Sequence, residues 1–315
     1  MRKDVQLILV SDLHLSDKPP RARSGEPNWF SAMKRQLDEL RMLFTKCECP
    51  VVIAGDIFDK PDPSPELINF AINHLPQYVY AVAGQHDLPF HSRKDISKSG
   101  YWTLKLADVI QHFGDVELYF DRHDPIATLS GFSFEDKFLP PTPNLDNRKL
   151  FQIACIHKYV WSTKQNSYPN APANAKTAAL VKECPGYDII HSGDNHKGFI
   201  TKVGETIICN CGTFYRRTTD EIDYKPFVGL VTLSNNKLQV SPYYMDISKD
   251  IILQTEKEEI SDSLELEEIA SFLEELQNLK DTKISLASCI NDYLRRHETS
   301  TRVKNLLLTA VRKGE

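Results

Sequence analysis

The stretch Gln6-Leu7-Ile8-Leu9-Val10-Ser11-Asp12-Leu13-His14 decides how the fold is read: a short β-rich apolar run stops at two side chains able to ligate a metal ion. Working outward, a helical pattern runs from about Trp29 to Phe44, and a second strand-like run, Val51 to Ala54, ends in Gly55-Asp56. A helix after Pro65 and a strand from Tyr78 to Ala83 repeat the alternation, the latter ending in Gly84-Gln85-His86-Asp87. Such alternation predicts parallel strands joined by crossover helices, hence an α/β fold. From about Val116 the strand-like runs Ile126 to Phe132, Phe151 to Ile156, Ile189 to His191, Thr206 to Cys209 and Phe227 to Thr232 crowd closer together, and a mixed or antiparallel sheet is expected there.

Two further runs end in the same kind of residue, at Ile156-His157 and at Gly193-Asp194-Asn195-His196, making five segments in all. Each alone has a bland reading. Asp-Leu-His can be a turn, Gly-Asp a helix cap, and a single histidine a satisfied core or surface residue. Five such segments at strand ends are hard to explain as caps, because loops at strand ends are where an α/β sheet presents its functional groups. The residue types suit two cations about 3.5 to 4 Å apart, with one carboxylate shared and histidine and amide groups completing each sphere. Asp56 is the natural shared carboxylate, and Gly55, Gly84 and Gly193 allow the sharp turns that bring these side chains together.

In this order, Asp12-x-His14, Gly55-Asp56, Gly84-Gln85-His86-Asp87, His157 and Asp194-x-His196 resemble the signature of the calcineurin-like metallophosphoesterases. The resemblance implies a sandwich of two mixed β-sheets flanked by helices, over residues 1–246, with a small helical C-terminal appendage over 247–315. It further implies that Asp12, His14, Asp56 and His196 hold one metal and that Asp56, Gln85, His157 and Asp194 hold the other, with manganese the expected ion and magnesium the alternative. His86 matches the family's catalytic histidine, which lies beside the scissile phosphate without ligating metal, and Asp87 would orient its imidazole. Two positions depart from the pattern: Gln85 stands for the usual asparagine and Asp194 for the usual histidine. Ligand count is kept, but a hard oxygen replaces a nitrogen donor, which shifts the second site toward magnesium and manganese.

Within that superfamily the chain looks most like SbcD-type nucleases, the catalytic subunits of double-strand-break repair. The resemblance rests on the Asp-Leu-His-Leu-Ser-Asp-Lys-Pro-Pro start, the Cys-Ile-His157 strand end and the turn Asn210-Cys211-Gly212-Thr213 before arginines. It implies a DNA exonuclease or endonuclease working by in-line displacement at phosphorus, with DNA and a coiled-coil ATPase of the SbcC type as partners. A small-molecule phosphoesterase and a non-catalytic scaffold with a degraded second site are the alternatives, and homodimerisation stays open.

Composition constrains this reading without deciding it. The 315 residues can bury a full core, and a net charge of -5 gives no global basic signal for nucleic acid. DNA binding must then rest on local clusters that follow the metal loops: Arg21 and Arg23 near Trp29, Arg93 and Lys94 with His91 and Lys98, Lys158 with Tyr159, Trp161 and Lys164, and Arg216 with Arg217. Seven cysteines, two pairs of them spaced Cys-x-Cys, predict buried thiols instead of a disulfide framework. The apolar start is too short for a signal sequence or a membrane span, so a cytoplasmic location is expected. After about Asp246, apolar residues at helical spacing (Ile260, Leu264, Ile269, Phe272, Leu273, Leu276), then Ile284 to Arg295 and Thr301 to Val311, predict amphipathic helices, a packed cap by the bland reading, and the resemblance implies that residues 247–315 dock the partner.

Overall fold

The computed structural model describes residues 5–119, 125–142, 150–253 and 290. The chain divides into two compact units, Met1–Gln254 and Thr255–Glu315. The helices expected after residue 254 fall on the second unit and lie outside the described residues.

The first unit is built on two six-stranded sheets. In sheet one, β1 (Val5–Val10), β2 (Val51–Ala54), β3 (Val79–Val82) and β4 (Gln111–His112) run parallel, and β11 (Phe227–Ser234) and β12 (Lys237–Tyr244) add antiparallel strands on the other side of β1. Sheet two has the order β5 (Asp115–Tyr119), β6 (Pro125–Phe132), β7 (Phe151–Ile156), β8 (Ile189–Ser192), β10 (Thr206–Asn210), β9 (Phe199–Val203). Its four middle strands are parallel and only the edges are antiparallel. The second half is therefore mixed, as expected, but its centre repeats the parallel arrangement of the first half.

Alternation along each strand assigns the two faces. In β1, Leu7 and Leu9 enter the layer between the sheets with Val52, Val82, Leu129 and Ile153, while Ile8 and Val10 pack under the helices α1 (Trp29–Cys47), α2 (Pro65–His74) and α3 (Gly100–Leu106). On the far side, Ala154, Ile156, Ile190 and Ile208 pack against Leu180 of α4 (Thr177–Glu183). Covering both faces is why these strands read as unbroken apolar runs. The helices start where local chemistry allows: the Asn28 side chain accepts from Ser31 N, and Ser64 caps α2 with Pro65 in the first turn.

After β12 the chain returns over the first unit, where Leu253 N donates to Ala22 O at 2.8 Å and Asp250 pairs with Arg23 at 2.9 Å. All six cysteines among the described residues are buried thiols. Among the same residues, no helix is long and apolar enough to cross a membrane.

Candidate metal centre

Five parallel strands from two sheets deliver the centre. Asp12 and His14 follow β1, Asp56 follows β2, Gln85 and His86 follow β3, His157 follows β7, and Asp194 and His196 follow β8. The parallel middle of sheet two is what brings its strand ends to the same edge as those of sheet one. Asp12, His14, Asp56 and Asp194 all have φ between 45° and 72°, a left-handed backbone that costs a non-glycine residue about 1–3 kcal/mol. Four strained residues in one place are held by their neighbours: His14 N donates to Asp56 O at 2.8 Å, Asp194 N to Asp12 Oδ1 at 3.0 Å, and Phe214 N to Asp12 O at 3.1 Å.

The glycines act mainly by leaving room. A Cβ on Gly84 would lie 2.1 Å from Asp56 Oδ1, one on Gly55 2.1 Å from His157 Nδ1, and one on Gly193 2.0 Å from Ala54 O.

Ligand atoms of Asp12, His14 and His196 lie within 4.8 Å of one another, and so do those of Asp12, Asp56 and His157. Asp56 Oδ2 faces both sets, 3.7 Å from His14 Nε2 and 3.4 Å from His157 Nε2. That oxygen and Asp12 Oδ2 are buried without a hydrogen-bond partner, a costly state for a carboxylate unless a cation completes it. His157 Nδ1 bonds Ala54 O at 2.7 Å, which fixes its ring and aims Nε2 inward. Burial lowers the proton affinity of His14 and His196, the latter to about 3, so both are neutral imidazoles ready to ligate. Burial works against the charge of Asp56, yet His157 beside it holds this carboxyl well below the usual range. Hard carboxylates, neutral imidazoles and orphaned oxygens fit two divalent cations.

The two departures from the family pattern meet each other. Gln85 Nε2 donates to Asp194 Oδ1 at 2.6 Å while Gln85 Oε1 contacts His157 Nε2, so both side chains reach the second half of the centre.

His86 sits beside this cluster, with its ring 4.9 Å from that of His14. Its orientation corrects the expectation for Asp87. The Asp87 carboxylate is fully buried and accepts from Phe58 N and Gly84 N at 3.0 Å and from Ile57 N at 3.3 Å, so it ties the β2 and β3 loops together. The imidazole is held instead by Asp59, whose main-chain oxygen lies 2.9 Å from His86 Nδ1. Asp59 also places its carboxylate 3.5 Å from His14 Nδ1 and pairs it with Arg217. Sequence reasoning missed Asp59; the available signal was an acidic residue three positions beyond Asp56 in the same loop.

The expected DNA-contacting cations divide into three groups. Arg23 and Arg216 are 1 % and 6 % exposed and bind Asp250, Arg23 also binding Glu26, so both are structural and the expectation for them is corrected. Arg21, Lys94 and Lys158 are exposed, and Arg93 is exposed but paired with Asp136. Arg217 lines a cavity of about 460 Å³ together with Asp59, Lys18, Lys60 and Pro20.

Beneath the centre lies a second cluster, His191, Cys209 and Cys211. Both His191 nitrogens face carbonyl oxygens, Nε2 at 2.7 Å from Val10 O and Nδ1 at 3.2 Å from Cys209 O. Carbonyls only accept, so this geometry calls for two N–H donors and a charged imidazolium. Burial opposes that charge, but Cys209 and the carbonyls raise the imidazole's proton affinity above its ordinary value. In turn the Cys211 thiol, 3.8 Å away, helps hold Cys209 down at about 6, giving the buried cation a thiolate partner.

The model of the calcineurin-like phosphoesterase family matches residues 5–198. Solved structures similar to this chain include a dimetal phosphatase from Danio rerio, at 11 % identity and a TM-score of 0.48, covering 76 % of this chain and 96 % of that one. An archaeal phosphodiesterase is similar at 11 % identity and a TM-score of 0.37, covering 75 % and 99 %. A putative 5'-nucleotidase from Staphylococcus aureus is similar at 11 % identity and a TM-score of 0.47, covering 76 % and 53 %. No curated protein matches the chain.

Proposed function

Since the chain belongs to the calcineurin-like phosphoesterase family and so is read as a metal-dependent phosphoester hydrolase, we propose that its substrate is DNA and its reaction phosphodiester cleavage. The observation that carries the hydrolytic part is Asp56 Oδ2, buried without a donor between two groups of ligand atoms. Asp12, His14, Asp56 and His196 would hold one cation, and Asp56, Gln85, His157 and Asp194 the other. When bound, two such ions lower the pKa of water and neutralise charge on the phosphoryl oxygens.

The remaining work falls to side chains that do not ligate. His86, fixed through Nδ1 by the Asp59 carbonyl, would use Nε2, protonated in the imidazolium form, to give a proton to the leaving oxygen. Arg217, anchored by Asp59, adds positive charge beside His14 and His196 for the non-bridging oxygens.

The preference for DNA rests on the likeness to SbcD-type nucleases and on the exposed cations Arg21, Lys94 and Lys158 beyond the metal loops. We extend the proposal to a coiled-coil ATPase of the SbcC type as partner, residues 247–315 as its docking element, manganese as the working ion and the cytoplasm as the place of action. The test is degradation of linear double-stranded DNA with manganese, with and without a chelator, across a salt series. Salt-sensitive cleavage is expected. Rapid turnover of small chromogenic phosphoesters with no DNA cleavage at any salt concentration would replace this reading with a small-molecule phosphoesterase.

A further inference from the structure

Four residues beyond His86 the chain does something that neither folding nor metal binding explains. Phe90 is 92 % exposed, the highest value among the exposed large hydrophobic residues described. Its backbone is left-handed, at φ 54° and ψ 25°, and the next residue, His91, repeats this at φ 53°. An L-residue with a bulky side chain pays steric strain in that region, and an exposed phenyl ring forgoes the burial that normally stabilises it. Two adjacent non-glycine residues therefore accept strain in order to hold one aromatic ring in water.

The loop is built to hold it there. Leu88 is fully buried as an anchor, Pro89 restricts the backbone, and His91 N and Ser92 N donate to Leu88 O and Pro89 O, each at 3.0 Å. The ring of His91 lies 6.3 Å from that of His86, so the loop tip adjoins the proposed proton donor. Along the chain, Phe90 is followed by His91, Ser92, Arg93 and Lys94, of which Arg93 pairs with Asp136 and Lys94 is exposed. A lone flat ring with adjacent positive charge, next to a phosphoester-cleaving centre, suits a ligand that is both aromatic and anionic. A nucleobase attached to a phosphate backbone is that ligand, and stacking on an aromatic side chain tolerates any base.

We propose that Phe90 is a stacking subsite for an unpaired nucleobase next to the scissile linkage. The inference rests on the DNA reading above and adds that the substrate is engaged with a base out of its pair. The duplex end or single strand presents a base to Phe90 while the adjoining phosphate enters the centre.

The experiment compares the full-length protein with Phe90→Ala and Phe90→Trp in manganese, on DNA with intact ends and on the same DNA carrying abasic spacers at the three terminal positions of both strands. Wild type is expected to favour the intact substrate in kcat/KM by about tenfold, a ratio within what stacking one base supplies. Phe90→Ala should bring that ratio to about one, mainly through KM, and Phe90→Trp should keep it. An intact-to-abasic ratio that is the same in Phe90→Ala as in wild type overturns the subsite and leaves the ring for a protein contact. Wild type that cleaves neither DNA fails one step earlier, at the substrate reading, and takes the subsite with it. The unfolding temperature of each variant checks that its fold is intact.

Discussion

The Nε2 atoms of His14 and His196 face each other at 3.0 Å in a centre where burial keeps both imidazoles neutral. His14 places Nδ1 3.5 Å from the Asp59 carboxylate. Two neutral imidazole nitrogens this close share at most one proton, and a cation that draws on a lone pair from each can take its place. Manganese or magnesium should therefore raise the unfolding temperature, and a chelator should lower it. A ligand at a hundred times its dissociation constant stabilises by about 2.7 kcal/mol. His196→Ala should lose most of this shift, and thermal unfolding with and without metal measures it.

Asp87 and Asp59 should fail in opposite ways. Asp87→Ala strips the acceptor from three buried N–H groups, those of Ile57, Phe58 and Gly84, and should cost about 3 kcal/mol in denaturant unfolding. Asp59→Asn keeps the main-chain oxygen but weakens the links to His14 and Arg217. It should lower kcat by about 10- to 100-fold while moving the unfolding midpoint little. Equal losses of stability in the two variants would contradict the assignment.

A similar contrast separates the arginines. Arg23→Met removes one buried partner from Glu26 and Asp250, which keep Arg35 and Arg216, and should cost about 1.5–3 kcal/mol. Arg217→Met, in a partly exposed pair, should fold normally and raise KM for any phosphoester. Chemical denaturation and steady-state kinetics on both variants distinguish structural from functional charge.

His191 and Cys209 predict a hidden pH dependence. The His191 pKa is raised above its ordinary 6.5, so its contribution to stability is full below 6.5 and fades as pH rises through the folded value. Cys209 is lowered from 9.0 to about 6, so its contribution is full above 9.0 and fades as pH falls toward 6. Between 6.5 and 9.0 the two slopes oppose each other. Cys209→Ala removes the chief cause that raises His191, so this imidazole should lose its proton at a lower pH than in wild type, which NMR of the imidazole nitrogens measures. An unchanged His191 titration in that variant would show that the thiol does not hold the charge.

Much of the centre was legible because each piece is local. A strand that ends in Asp12-Leu13-His14 or Gly55-Asp56 announces its ligands within a few residues, and the five strand ends needed only a shared edge. What stayed hidden depends on distant partners. Arg23 resembles a surface cation until Asp250, far along the chain, closes on it, and Arg216 shares the same carboxylate. Asp87 adjoins His86 in sequence, yet its carboxylate turns to the backbone of the β2 loop, while Asp59 approaches the imidazole from that loop. The parallel core of sheet two was obscured because its strand-like runs are short and closely spaced.

The placement of β1 bears on how the protein is made. β1 is flanked by β2 on one side and β11 on the other, pairing Ile8 with Val51 and with Leu230. Asp12 and His14 are translated early but cannot be locked into place until residues 227–234 emerge. At about 5–20 residues per second that delay lasts about 10–40 seconds. Nascent chains are thus expected to stay hydrolytically inert until β11 has emerged.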